Sequence, residues 1–436
     1  MSGEKTELKV NNHKMKKMKL INGIAIAIIG LGAITVSCKK EGCTDPLATN
    51  YNSKANHDNG SCEYGPGGGG DPSEVLQVTD DIDVPTTWSA GTVEVCGDIS
   101  VNAALTISPG VNIVMCAAAK IDVSETGSMY AVGTATSPIT FSGEVATPGY
   151  WKGIGISSNN PNNQFDYVTI SGGGGYWYYE EAELFLYANG RLSMKNSTVT
   201  NGPGVGFMAQ TSTVLTQFMS NTFSSNASYG ISVTAKQMAM MDEASNYNAG
   251  NGLNFIQVDG EDVSSNQTWR KTNAPLMVTG VIDVNAGLTL NPGVEIQFEA
   301  GQGMDVGESG YLYAVGTAAE PITFKGRYAS AGYWRGLYIG SNNPNNNLDY
   351  VNISDGGEYW YLDYSSLYIQ GRCDVDNCTI TNSNSWAAIV TGSSTIYCGG
   401  SVQSDAAGVT AYNTLTGNGA GADADCVGGG CTVRFD

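Results

Sequence analysis

The chain has 436 residues, 57 of them glycine, a formal net charge of −20 and only 14% charged side chains. From residue 75 onward it carries 12 basic and 33 acidic side chains, which argues against nucleic acid or an anionic lipid surface as a partner for that region. Twenty-three tyrosines against ten phenylalanines, with much Asn, Thr and Ser, fit short strands joined by tight turns.

Residues 1–37 read as a targeting segment. Lys14, Lys16, Lys17 and Lys19 precede an uncharged run from Leu20 to Val36, too short to be a secure membrane span. The run ends Thr35-Val36-Ser37-Cys38, which resembles a bacterial lipobox with Thr35 where that motif usually has Leu. The resemblance implies that Cys38 is acylated and holds the chain to a membrane without a spanning helix. An outer-membrane lipoprotein displayed at the cell surface is the expectation. The alternative is an ordinary cleaved signal with Cys38 incidental, and both place the protein outside the cytoplasm.

Residues 38–64 hold the lipidated cysteine and a small module, Gly42-Cys43-Thr44-Asp45-Pro46 to Asp58-Asn59-Gly60-Ser61-Cys62. It resembles a short disulfide module of bacterial secreted and surface proteins, stapled because it is too small to own a core. Asp45 and Asp58, with nearby asparagines, are candidate calcium ligands, although Ala55 and His57 break the usual calcium-loop pattern and Asx-turns explain the same residues. Residues 65–74, beginning Gly65-Pro66-Gly67, form a flexible linker.

The rest is one long unit used twice, as 75–250 and 251–436. Leu105-Thr106-x-x-Pro109-Gly110-Val111 returns as Leu288 to Val294, an offset of 183. Tyr130 to Phe141, Gly149-Tyr150-Trp151 and Asn159 to Asn163 return at the same offset, and roughly 60% of positions from Leu105 to Tyr178 are identical. The register then slips by two, so that Asn196 matches Asn377. Within each copy, short apolar alternations such as Leu105-Thr106-Ile107, Ile121-Asp122-Val123 and Ile139-Thr140-Phe141 recur every 20–25 residues or less. No segment reads as an amphipathic helix; Lys236 to Glu243, with its methionines, is expected to be a short helix or the junction of the copies.

This pattern predicts an all-β protein, a right-handed parallel β-helix built from two copies of about 180 residues. Two β-sandwiches are the alternative. The run LTxxPGVxI…AVGTAxxPITF…GYWxGI…DYVxIS is similar to right-handed β-helix lipoproteins of Gram-negative bacteria.

Ten cysteines suit an exported protein. Cys43 with Cys62, Cys96 with Cys116, Cys373 with Cys398, and Cys426 with Cys431 are candidate disulfides, which leaves Cys378 over. Cys-x4-Cys at 373–378 and 426–431 is the spacing of a conceivable zinc site, but the body contains no histidine.

Some β-helices are polysaccharide lyases or hydrolases, so an active site must be sought. Candidate carboxylates stand at Glu180, Glu181 and Glu183 with Arg191 and Lys195 beyond, but the second copy does not repeat them. The better candidates are aromatic: Tyr176-Trp177-Tyr178 in copy one and Tyr359-Trp360-Tyr361 in copy two. Exposed, such rings stack on sugars or anchor a protein partner; the alternative is that they fold back over a solenoid face. Each follows a strand ending Val-x-Ile-Ser, so both are expected to project from one edge and to add avidity. The expected function is therefore a non-enzymatic, adhesin-like or glycan-binding rod, with a β-helix lyase or hydrolase and a purely structural envelope protein as alternatives.

Overall fold

The computed structural model describes residues 39–44, 50–62, 75–89, 91–419 and 432–436. Cys38, Asp45, Cys426, Cys431, the targeting segment and the whole linker lie outside the described residues.

One rung shows how the chain builds its core. Thr92–Val95, Asp98–Val101 and Ala104–Ile107 are three short strands separated by bends, and each alternates inward apolar with outward polar side chains. The next strand, Asn112–Met115, lies parallel on the first, with Val93 opposite Ile113. Repetition stacks like on like: Val93, Ile113, Phe141, Ile170, Val199 and Phe223 form one inward column. A single buried cluster runs from Val78 to Val433, so the two copies share one core. The body is a parallel β-helix; every strand pair described is parallel except Thr395–Cys398 with Ser401–Gln403 near the C-terminal end.

Bends are held by side chains as well as by glycine. Asn163 and Asn346 are buried; each carboxamide accepts from the backbone N–H of the preceding rung, Met129 and Leu312, at 2.9 Å. Along another corner Asn251 accepts from the Asn226 backbone N–H and Asn226 from that of Gly202. These asparagines are side-chain bridges between rungs and satisfy backbone N–H groups at the bends and at the strand ends beside them. Trp151 and Trp334 are buried at equivalent bends, and each indole donates to a backbone carbonyl, Ser171 at 3.0 Å and Ser354 at 2.7 Å.

The long sheet reveals how the copies join. Its thirteen strands include Lys120–Val123 and Gly153–Ile156 of copy one, but Glu295–Phe298, Ile322–Gly326 and Val351–Ser354 of copy two. By the 183-residue offset these latter strands are the counterparts of Asn112–Met115, Ile139–Gly143 and Val168–Ser171, which belong to the eight-stranded sheet. Every strand of copy two therefore sits one face further round than its counterpart. The cause is a count. From Ala104–Ile107 to Gly287–Leu290 the chain takes 21 strand steps and two 3-10 segments; Trp177–Tyr179 belongs to a bend, but Ala235–Met240 takes a strand position of its own. Three positions make a rung, so those 22 positions are seven rungs and one position more. This second 3-10 segment is the expected junction element. It stands where a strand would, packing between Val214–Met219 and the later strands Asp262–Val263 and Gln267–Trp269.

Two expectations are corrected here. The aromatic turns do not project from one edge: copy one's leads into the long sheet and copy two's leads out of it. Nor does Cys373 bond Cys398; Cys373, Cys378 and Cys398 are buried thiols. Register explains the difference. Val95 pairs with Met115, so Cys96 stands opposite Cys116, Cα to Cα 4.9 Å, and they are bonded. Cys373 pairs with Ile396, which leaves Cys398 two residues along the neighbouring strand. At ordinary strand spacing and rise that is about 8 Å between Cα atoms, beyond disulfide reach. The Cys43–Cys62 bond is present as expected.

Candidate functional site: two aromatic turns

After strand Val168–Ser171 the chain runs through Gly172 to Gly175, makes one 3-10 turn at Trp177–Tyr179, and enters strand Leu184–Leu186. Copy two does the same with Val351–Ser354, the turn Trp360–Leu362 and Leu367–Ile369. Gly174 and Gly357 take φ of 89° and 96°, a region closed to side chains. A pair of non-glycine residues then adopts the left-handed conformation in each copy: Glu180 and Glu181, Asp363 and Tyr364. Each such residue costs roughly 1–2 kcal/mol, and strain of this kind persists only where the surroundings over-determine it.

The tips point into solvent. Trp177 is 77% exposed and Tyr178 53%, Trp360 66% and Tyr361 57%. In both copies the tryptophan and the following tyrosine meet edge to face, with centroids 6.0 and 5.9 Å apart. Tyr176 and Tyr359 are half-buried at the base under cations: Lys120 and Lys152 over Tyr176, and Arg335 4.2 Å above the Tyr359 ring. Lys152 is tied to Asp98 and Arg335 to Asp305, so the basic groups are neutralised locally.

Beneath the tips the copies differ. In copy one Tyr179 is buried against Phe185, which points outward from the long sheet, and Phe185 stacks on Tyr187. The Tyr187 hydroxyl donates to Asp122 at 2.8 Å. Burial, followed by the nearby Asp122 carboxylate, pushes both phenols above their ordinary range. Copy two places Leu362 where Tyr179 stands, and Tyr338 where copy one has Gly155. Tyr338 stacks on Tyr368 and donates to Gln370 at 2.6 Å. The ring over the position of Gly155 is supplied by the turn in copy one, as Tyr179, whereas in copy two that position itself carries a ring, Tyr338. That exchange was visible in the sequence as Gly155 against Tyr338 and Tyr179 against Leu362, but only contact distances give it meaning.

The candidate carboxylates do not converge. Glu180 and Glu181 are exposed, Arg191 bonds Asn159, and Lys195 pairs with Asp166. Glu183 is fully buried; the Gly173 N–H donates to its Oε2 at 3.0 Å, while its Oε1 has no partner. Burial raises its pKa well above the carboxylate range, against the pull of nearby glycine N–H groups. Ser366 takes its place in copy two and bonds Ser383.

In the small module Asp58 accepts from the Gly60 N–H and Asn59 from that of Ser61, both Asx-type turns. Among the described residues Glu94, Cys96 and Cys116 form the one cluster of three metal-type ligands, and its two cysteines are consumed by their disulfide.

No curated protein and no solved structure matches the chain. Residues 110–279 match the family model described as a right handed beta helix region, which with the parallel three-strand rungs makes this body a right-handed parallel β-helix.

Proposed function

We propose that the chain is a non-enzymatic, lipid-anchored envelope protein, tethered through Cys38 and the glycine linker at the outer face of a bacterial outer membrane. Its β-helix binds glycans through the Tyr-Trp-Tyr turns. The observation that carries this reading is that both copies keep the exposed, edge-to-face tip while the packing beneath it has changed, from Tyr179 over Gly155 in copy one to a buried Leu362 and a Tyr338 stacked on Tyr368 in copy two. Rings needed only to cover the solenoid would be retained together with their packing partners. Rings needed by a ligand are retained at the tip whatever holds them up. Indole and phenol faces suit sugar rings because they desolvate a rigid apolar surface at little entropic cost. The acidity of the body disfavours acidic polymers and leaves neutral glycans as the fitting class.

The test is a glycan array probed with the full-length protein and its Trp177→Ala/Trp360→Ala double variant. Loss of about 30-fold or more in affinity for the bound glycan, without a change in thermal unfolding, is the expected result. Equal binding by both proteins removes the aromatic turns from the function.

A further inference from the structure

The rotation between the copies fixes how the two turns work together; the inference rests on the glycan reading above. Turn one lies over the outer face of the long sheet: Tyr179 packs on Phe185 of that sheet, and Tyr176 sits under Lys120 of the same sheet and Lys152 at its margin. Turn two lies beyond the next corner. Its Tyr359 stacks with Arg335, which is ion-paired to Asp305 in the adjoining seven-stranded sheet. The turns are therefore on adjacent faces. The same count of seven and one-third rungs separates them by about 35 Å along the axis.

A strand held at turn one would have to run that distance and bend round a corner to reach turn two. A stiff polymer does not do so, and the effective concentration of the second site toward a strand bound at the first falls accordingly. Two strands approaching from different directions meet no such obstacle. We propose that the turns hold separate strands of neutral polysaccharide, so that the protein is a divalent cross-linker and not a two-point clamp on one strand. The avidity expected of two turns on one edge does not hold for turns on adjacent faces.

The experiment uses the full-length protein with soluble mannan, xylan and mixed-linkage β-glucan, reading affinity by calorimetry and cross-linking by light scattering. For the polymer bound, Trp177→Ala and Trp360→Ala singly are expected to halve the stoichiometry, change affinity at the remaining site by less than about threefold, and abolish the scattering increase. The double variant is expected to lose binding. A single variant that loses about 100-fold or more in affinity overturns the proposal, because both turns then grip one strand. Binding without any scattering increase in the unmodified protein also overturns it and leaves the glycan reading standing. Binding to none of the three polymers overturns the glycan reading itself, and the cross-linker with it.

Discussion

Gly155 and Tyr179 occupy one another's space: a Cβ placed on Gly155 would lie 2.3 Å from the Tyr179 hydroxyl oxygen. Gly155 faces outward from the long sheet, opposite Phe185 on the next strand. Its missing side chain is what leaves room for the buried Tyr179 ring at the end of the turn that carries Trp177. Copy two reaches the same tip with Tyr338 and Leu362.

Gly155→Ala is accordingly expected to displace Tyr179 and destabilise the body by about 1–3 kcal/mol, the usual cost of overpacking. Gly155→Tyr with Tyr179→Leu imports the arrangement of copy two. That double variant is expected to recover most of the loss seen in Gly155→Tyr alone, a coupling of at least about 1 kcal/mol in urea unfolding. Additive effects would show that the two residues do not share one space.

Glu183 makes stability depend on pH. Its folded pKa lies above the ordinary carboxylate value because of burial, so the folded chain keeps a proton that the unfolded chain releases. Stability is then greatest at and below the ordinary carboxylate range and falls as pH rises through the interval up to the folded pKa. Glu183→Gln keeps the acceptor for Gly173 and cannot ionise. Melting curves between pH 5 and pH 8 are expected to show a shallower decline in this variant, with a gain of about 1 kcal/mol at pH 8.

Asp262, Asp283 and Asp305 stand directly opposite one another on successive parallel strands. Burial, with repulsion from Asp262, raises the pKa of Asp283; burial, with repulsion from Asp283 and against the pull of Arg335, raises that of Asp305. Raised carboxylate pKa values mean stability is lost as pH rises through the acid range. Asp283→Asn removes the middle charge and is expected to stabilise by about 0.5 kcal/mol at neutral pH, a small figure because this side chain faces solvent. A destabilised variant in thermal unfolding would mean that the ladder is held by something other than repulsion.

The three buried thiols give a chemical test of register. Burial pushes Cys378 and Cys398 up to about 12 and raises Cys373 well above its ordinary value, so all three remain protonated at pH 8 and shielded from alkylation. Mass spectrometry after native iodoacetamide treatment is expected to find none of them modified, and all three modified after denaturation. Replacing Cys96 and Cys116 by alanine is expected to cost about 3 kcal/mol. A Cys373–Cys398 disulfide in the native peptide map would refute the register.

Local chemistry made much of this protein legible in its sequence. Alternations such as Ile121-Asp122-Val123 at rung spacing are what a stacked three-strand turn needs, and they make the solenoid legible in the sequence. Repetition at an offset of 183 disclosed the two copies and singled out Tyr176 to Tyr178 and Tyr359 to Tyr361. What the sequence left open depends on counting positions round an axis. The 3-10 segment Ala235–Met240 fills a strand position without resembling a strand, so the one-face rotation does not register as a break in pattern. The Cys373–Cys398 misassignment has the same root: spacing gives a rung to within two residues, while a disulfide requires the residue directly opposite. Tip exposure and the Gly155–Tyr179 fit likewise arise between residues on neighbouring rungs, and contacts of that kind exist only once the solenoid has closed.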